Sequence, residues 1–148
     1  MRSLKTIESA IRGSWDADTC YPVQKRNWKN NVPELGQCAV TALLLQEYLG
    51  GDIAFNQAND HFWNILPNGK TIDLTRTQFR NPIDLTVDAL CNRHELLYSS
   101  EARKQETLHR YELLKHRVEN KLNKKGALSA SRNKEIAIQR HPKRTLAL

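Results

Sequence analysis

From Cys38 to Leu49 the chain carries apolar side chains at Ala39, Val40, Ala42, Leu43, Leu44, Leu45, Tyr48 and Leu49, on more than one face of a helix. A helix that is apolar all round cannot rest on a surface; other elements have to cover it from several directions. Gly50-Gly51 follows immediately and closes it, because glycine accepts the left-handed backbone that ends a helix. The rest of the chain is therefore expected to wrap a buried central helix, and the residue at its head, Cys38, sits on rigid structure.

That position matters chemically. A thiol with its ordinary pKa of about 8.5 is only slightly ionised at neutral pH, and it becomes nucleophilic beside an imidazole or at a helix N-terminus. Downstream, Asp60-His61-Phe62-Trp63-Asn64-Ile65-Leu66 and Thr71-Ile72-Asp73-Leu74-Thr75 flank the turn Pro67-Asn68-Gly69-Lys70, which reads as a hairpin with His61 and Asp73 on its two strands. On the first strand His61, Trp63 and Ile65 share one face. Cys38, His61 and Asp73 thus follow in an order suited to a nucleophile, a base and an orienting carboxylate, with first-turn N–H groups free to hold an oxyanion.

The flanking segments read as follows. Ser3 caps a first helix running to about Arg12, with Leu4, Ile7, Ala10 and Ile11 at helical spacing. The stretch from Ser14 to Gly36 holds Pro22, Pro33, Trp15, Tyr21 and Trp28 and is a long loop whose aromatic content is expected to pack near Cys38. Asp52 to Asn56 reads as a strand, and a short helix is expected around Val87 to Leu90. From Ser99 to about Leu122, Leu108, Tyr111, Leu114, Val118 and Leu122 form an apolar stripe on a highly charged helix, either docked on the body or a dimer contact. The expected fold is α+β: a central buried helix carrying Cys38, packed on a small antiparallel sheet, with a long C-terminal helix.

Composition narrows the function classes. With 148 residues the chain reads as one domain over 1–123, followed by a basic, weakly ordered tail over 124–148. Seven basic residues fall from Lys124 onward against Glu135 alone, so nearly all of the net +7 belongs to the tail. A near-neutral body argues against a nucleic-acid surface on the folded part; nucleic acid or an acidic partner would be met only by the tail. Cys20, Cys38 and Cys91 are far apart, with no zinc-ligand spacing, so no metal or other cofactor is expected and the thiols are those of a reduced, cytoplasmic protein. The amphipathic N-terminus from Met1 to Trp15 reads as neither a signal peptide nor a membrane span.

Two resemblances add to this reading. Ser14-Trp15, Thr19-Cys20-Tyr21-Pro22, Gly36-Gln37-Cys38-Ala39-Val40-Thr41-Ala42-Leu43, Gly50-Gly51, His61-x-Trp63-Asn64, Ile72-Asp73-Leu74-Thr75 and Arg110-Tyr111-Glu112-Leu113-Leu114 together resemble the YunG-like family of small bacterial proteins, over roughly residues 5 to 120. That resemblance names kin without naming a reaction. More distantly, Gly36-Gln37-Cys38 at a helix start, His61 followed by Trp63, and Asp73-x-Thr75 twelve residues after the histidine look like the catalytic core of transglutaminase-like proteins in the papain-like fold group. The group implies a Cys-His-Asp triad on Cys38, His61 and Asp73, and its members include peptidases, amidases, deamidases and acyl transferases. This chain is smaller and lacks the additional sheet of the larger members.

Each residue also has a plainer reading. Cys38 alone could be a small buried hydrophobe, His61 a hydrogen-bonded core histidine, and Asp73 a turn cap or a partner of Arg76. Gln37 is placed to assist an oxyanion or to point away, and Asn64 to donate near the imidazole or to serve as a polar strand residue. Trp63 and Trp28 read as core or as a substrate platform, and Cys20 as an accessory packing residue. The expected function is a cysteine-dependent hydrolase or acyl transferase acting on an amide or ester, with a protein or peptide among the substrates considered. The alternative is a binding module that keeps the fold without turnover.

Overall fold

The computed structural model describes residues 2–81, 83 and 85–140; of the basic tail, residues 141–148 lie outside the described residues, as do the side chains of 127–131 and 133–140. Helix α1 spans Leu4–Arg12 and starts where Ser3 accepts the Thr6 N–H at 3.2 Å. It buries Ile7, Ala10 and Ile11. Helix α2 spans Cys38–Leu49 and buries every residue from Val40 to Leu45. Strands β1 (Asp52–Asn56), β2 (His61–Ile65), β3 (Thr71–Ile72) and β4 (Ala89–Leu90) form one antiparallel sheet in the order β3-β2-β1-β4. Helices α3 (Arg93–Tyr98), α4 (Ser100–Lys104) and α5 (Thr107–Arg140) complete the chain.

The protein is α+β, with a small antiparallel sheet and a long C-terminal helix. Its core explains the unbroken apolar run. Helix α2 packs on β1 and β2 on one side and on α5 on the other, while α1 packs on α5. Leu43, Leu44, Leu45, Ile53, Leu114, Val118 and Leu122 meet there with almost no exposure. Burying one such side chain stabilises the fold by about 1.5–3 kcal/mol.

The turn from α2 into β1 is fixed by a close approach. Gly50 and Gly51 have φ of +73° and +80°, and a Cβ on Gly51 would stand 2.1 Å from the Ile65 carbonyl oxygen. β1 and β2 then pair from Asp52↔Ile65 to Asn56↔His61, so His61 lies at the end of the ladder beyond the helix head.

Four expectations need correcting. The segment near Val87–Leu90 is strand β4 rather than a short helix: Asp88 N–H donates to Phe55 O at 2.9 Å and Cys91 N–H to Ile53 O at 2.8 Å, which covers the free edge of β1. The helix read from Ser99 to Leu122 is broken. Ser99 is extended and caps α4 through Ala102 N–H, and Glu106 takes a positive φ of 53°, so the long helix begins only at Thr107. The loop from Ser14 to Gly36 contains a 3₁₀ helix at Pro22–Asn27. Asp73 stands just past β3, not on it, at the start of the turn into a second 3₁₀ segment at Arg76–Gln78. Helix α5 itself continues to Arg140, well beyond Leu122, where the apolar stripe ends.

Replacing Gly51 by alanine forces both left-handed strain and a backbone clash, so the folded state is expected to lose more than about 2 kcal/mol. Urea denaturation measures this; an unchanged midpoint would show that β1 and α2 do not meet as described.

Candidate active site

Cys38 is the first residue of α2 and is half-buried. The first-turn N–H groups of the helix have no partner inside it and face the same end. What fixes this end is Gln37, fully buried, whose Nε2 donates to the Asp16 carbonyl at 2.9 Å. Trp15 adds a second tie, from Nε1 to Thr41 Oγ1 at 2.9 Å.

His61 is fully buried and its Nε2 stands 2.7 Å from Asp73 Oδ2. An ionised carboxylate can only accept, so Nε2 carries the proton and Nδ1 is left as the reactive nitrogen. Gln78 Nε2 lies 3.3 Å from Nδ1. The aspartate is itself held, since its Oδ1 accepts from Thr75 N–H at 3.3 Å. Two rings enclose the imidazole: Phe79 meets it edge-on at 4.9 Å and Trp63 stacks at 5.9 Å.

Opposing electrostatic influences act on the imidazole. Burial is the largest single influence and disfavours the imidazolium, but the hydrogen bond to Asp73 and the nearby Cys38 and Asp73 together outweigh it. The His61 pKa is raised to about 9. A protonated imidazole thus stands near the half-buried Cys38 at neutral pH. The thiol also lies 4.0 Å from the Asp60 carbonyl.

Cys38 opens into a cavity of about 200 Å³ lined also by Phe62, Gln78, Phe79, Tyr21 and Arg110, among others; His61 is fully buried and meets Gln78 and Phe79 of that lining from behind. Gly36 sets the cavity floor. A Cβ there would come within 2.6 Å of Cys20 Sγ and 3.0 Å of Tyr21 N, and Gly36 N–H donates to Gln78 Oε1 at 3.3 Å. Cys20 is buried, donates to Leu35 O at 3.2 Å, and has its pKa pushed up to about 11 by that burial. It is a neutral packing group beneath the loop.

The structure therefore brings Cys38, His61 and Asp73 together, with Trp63 behind the imidazole. It separates three others from the cavity. Gln37 spends its amide N–H on Asp16 and does not line the cavity. Asn64, one residue out of step with Trp63, donates to Ala42 O at 2.9 Å rather than to the imidazole. Trp28 bonds through Nε1 to Pro33 O at 3.0 Å within its own loop. Gln78, Tyr21 and Arg110 were not singled out as site residues by sequence, although Tyr21 and Arg110 fall in strings of the family resemblance.

Comparison with known proteins places the chain in a family. The sequence model of the YunG protein family matches residues 3–123, from the cap of α1 into α5. The chain belongs to the YunG family. A YunG relative, "Uncharacterized protein YunG" of Bacillus subtilis (strain 168), is 31% identical over 83 residues, which cover 55% of this chain and 67% of that protein. No solved structure matches this YunG-family chain. Among the described residues there is no cluster of His, Cys, Asp and Glu able to hold a metal ion, and no helix long and apolar enough to cross a membrane.

The raised His61 pKa has a signed consequence. Its folded value lies above the ordinary value of 6.5, so the associated stability is fully present below about pH 6.5 and is lost as pH rises through about 9. Imidazole NMR should find His61 charged up to about pH 9 in the wild type, with the midpoint lowered in Asp73→Asn. A midpoint near 6.5 in both would show that Asp73 does not hold the cation.

Proposed function

We propose that this YunG-family protein is a cysteine-dependent hydrolase or acyl transferase acting on an amide or ester through Cys38, His61 and Asp73. The observation that carries the reading is the buried His61, tied through Nε2 to Asp73 at 2.7 Å and coupled to the Cys38 thiol at the head of a rigid helix. A core histidine needs one hydrogen-bond partner; this one, tied to Asp73, also stands near a thiol at a free helix N-terminus. The arrangement is in keeping with a small papain-like, transglutaminase-like core, in which the nucleophile heads a helix and the base stands on the following sheet.

The chemistry follows from the atoms present. The carbonyl enters the cavity, and Cys38 Sγ attacks its carbon while the π electron pair moves onto oxygen. The first-turn N–H groups of α2 receive that oxyanion. On collapse the C–N or C–O bond breaks, and His61 gives its proton to the departing amine or alcohol, leaving a thioester on Cys38. Water then loses a proton to His61 and attacks the thioester, which releases the acid and restores the thiolate-imidazolium pair. An amine in place of water gives transfer. Asp73 keeps Nδ1 turned to the sulfur throughout and stabilises the cation.

The test uses p-nitrophenyl acetate and mass spectrometry of the intact protein. Acetyl should accumulate on Cys38 ahead of Cys91 and the lysines, vanish in Cys38→Ala, and fall about a hundredfold or more in rate in His61→Ala. Acetylation of Cys38 no faster than that of Cys91 would overturn the catalytic reading.

A further inference from the structure

Arg110 is only 3% exposed, yet it lines the cavity that holds Cys38. Its bonds inside the chain are to neutral groups: Nε donates to Gln105 O at 2.9 Å and Nη1 to Thr19 O at 3.1 Å. Nη2 takes part in neither. The guanidinium also lies 5.9 Å from the Tyr21 ring centroid. Other arginines are treated differently: Arg93 reaches Glu47 and Arg117 reaches Asp16. No described carboxylate makes an ion pair with Arg110.

A buried cation without a carboxylate is costly unless something anionic visits it. Two carbonyl bonds hold the planar fork in place and leave one edge for a ligand, and that fork matches a carboxylate in a way that a lysine ammonium does not. The Cys38 charge acts on Arg110 but is matched by the imidazolium beside it. Asp60 and Glu101 also line the cavity, but both are exposed; a charge withdrawn from water acts about fourfold more strongly than one bathed in it, so the field of Arg110 governs the interior. Size sets a further limit: about 200 Å³ is little more than the ~150 Å³ that holds a benzene ring, so the group inside is small.

We propose that Arg110 seats a carboxylate of the acyl donor, which makes the substrate of this site a small anionic amide or ester, or a chain ending in one. This rests on the acyl-transfer reading above. Arg110 is then a binding residue that selects the donor by charge, while the chemistry stays with Cys38.

Alkylation separates the two ideas, because it needs an accessible thiol but no acyl chemistry. Iodoacetate and iodoacetamide differ in charge and little in shape. At Cys38 the iodoacetate-to-iodoacetamide rate ratio should exceed that of free cysteine about tenfold or more, fall toward the free value in Arg110→Met, and recover in part in Arg110→Lys. A purely structural role would move both rates together and leave the ratio alone; an equal ratio in the wild type and Arg110→Met overturns the carboxylate site. Should Arg110→Met not fold, the unmodified protein decides. Succinate should protect Cys38 from iodoacetamide and succinamide should not; equal protection by both, or by neither, overturns the proposal. Failure of p-nitrophenyl acetate to acylate Cys38 counts against the catalytic reading instead, whatever the alkylation ratio.

Discussion

Everything at the site depends on α2 being covered from both sides. The sheet and α5 enclose its apolar surface, so the helix cannot rotate or slide without exposing Leu43, Leu44 or Leu45. Its N-terminus is consequently a fixed point in the fold. Gln37, buried and bonded to Asp16 O, turns that fixed point into a fixed entry angle for the chain, and Cys38 emerges half-buried where the helix dipole is most positive. A residue that looked like an oxyanion donor is thus the anchor that positions the next residue.

The second constraint is electrostatic. The interior around Cys38 holds a buried imidazole, a buried guanidinium and a second thiol, and each is kept in a different state. His61 is held charged by Asp73 and Cys38, against its burial. Cys20 is held neutral by burial, with its pKa near 11, and serves as the surface against which Gly36 packs. Arg110 is bonded only to carbonyls, and it is this positive group that the proposed carboxylate would meet. Two thiols in one neighbourhood therefore have different surroundings: Cys20 is buried under the loop, while Cys38 is half-buried and near an imidazole.

The fold was readable in sequence wherever one local rule dominated. Continuous apolar content placed α2, Ser3 placed the start of α1, and Pro67-Asn68-Gly69-Lys70 placed the hairpin turn, where Gly69 adopts φ +85° and Lys70 N–H donates to Asn68 Oδ1. β4 was not readable, because Ala89 and Leu90 are an exposed two-residue edge with no alternation, and only the β1 backbone makes them a strand. The break at Glu106 was missed because the apolar stripe starts only at Leu108, so nothing in its spacing separates α4 from α5. At the site, Cys38, His61 and Asp73 carry their chemistry in their local context. Gln78, Tyr21 and Arg110 converge only through the packing of the long loop and α5 against α2. Gln37, Asn64 and Trp28 are polar or aromatic for reasons of support, and sequence type alone does not reveal which way a side chain turns.

The central claim is that His61 activates Cys38. The most direct measurement is the rate of Cys38 alkylation by iodoacetamide across pH, in the wild type and in His61→Ala, with Cys91 as the internal reference. The account predicts that wild-type Cys38 reacts readily well below the ordinary thiol pKa of about 8.5, and that this low-pH reactivity disappears in His61→Ala. An ordinary thiol profile for Cys38 in both proteins would contradict it.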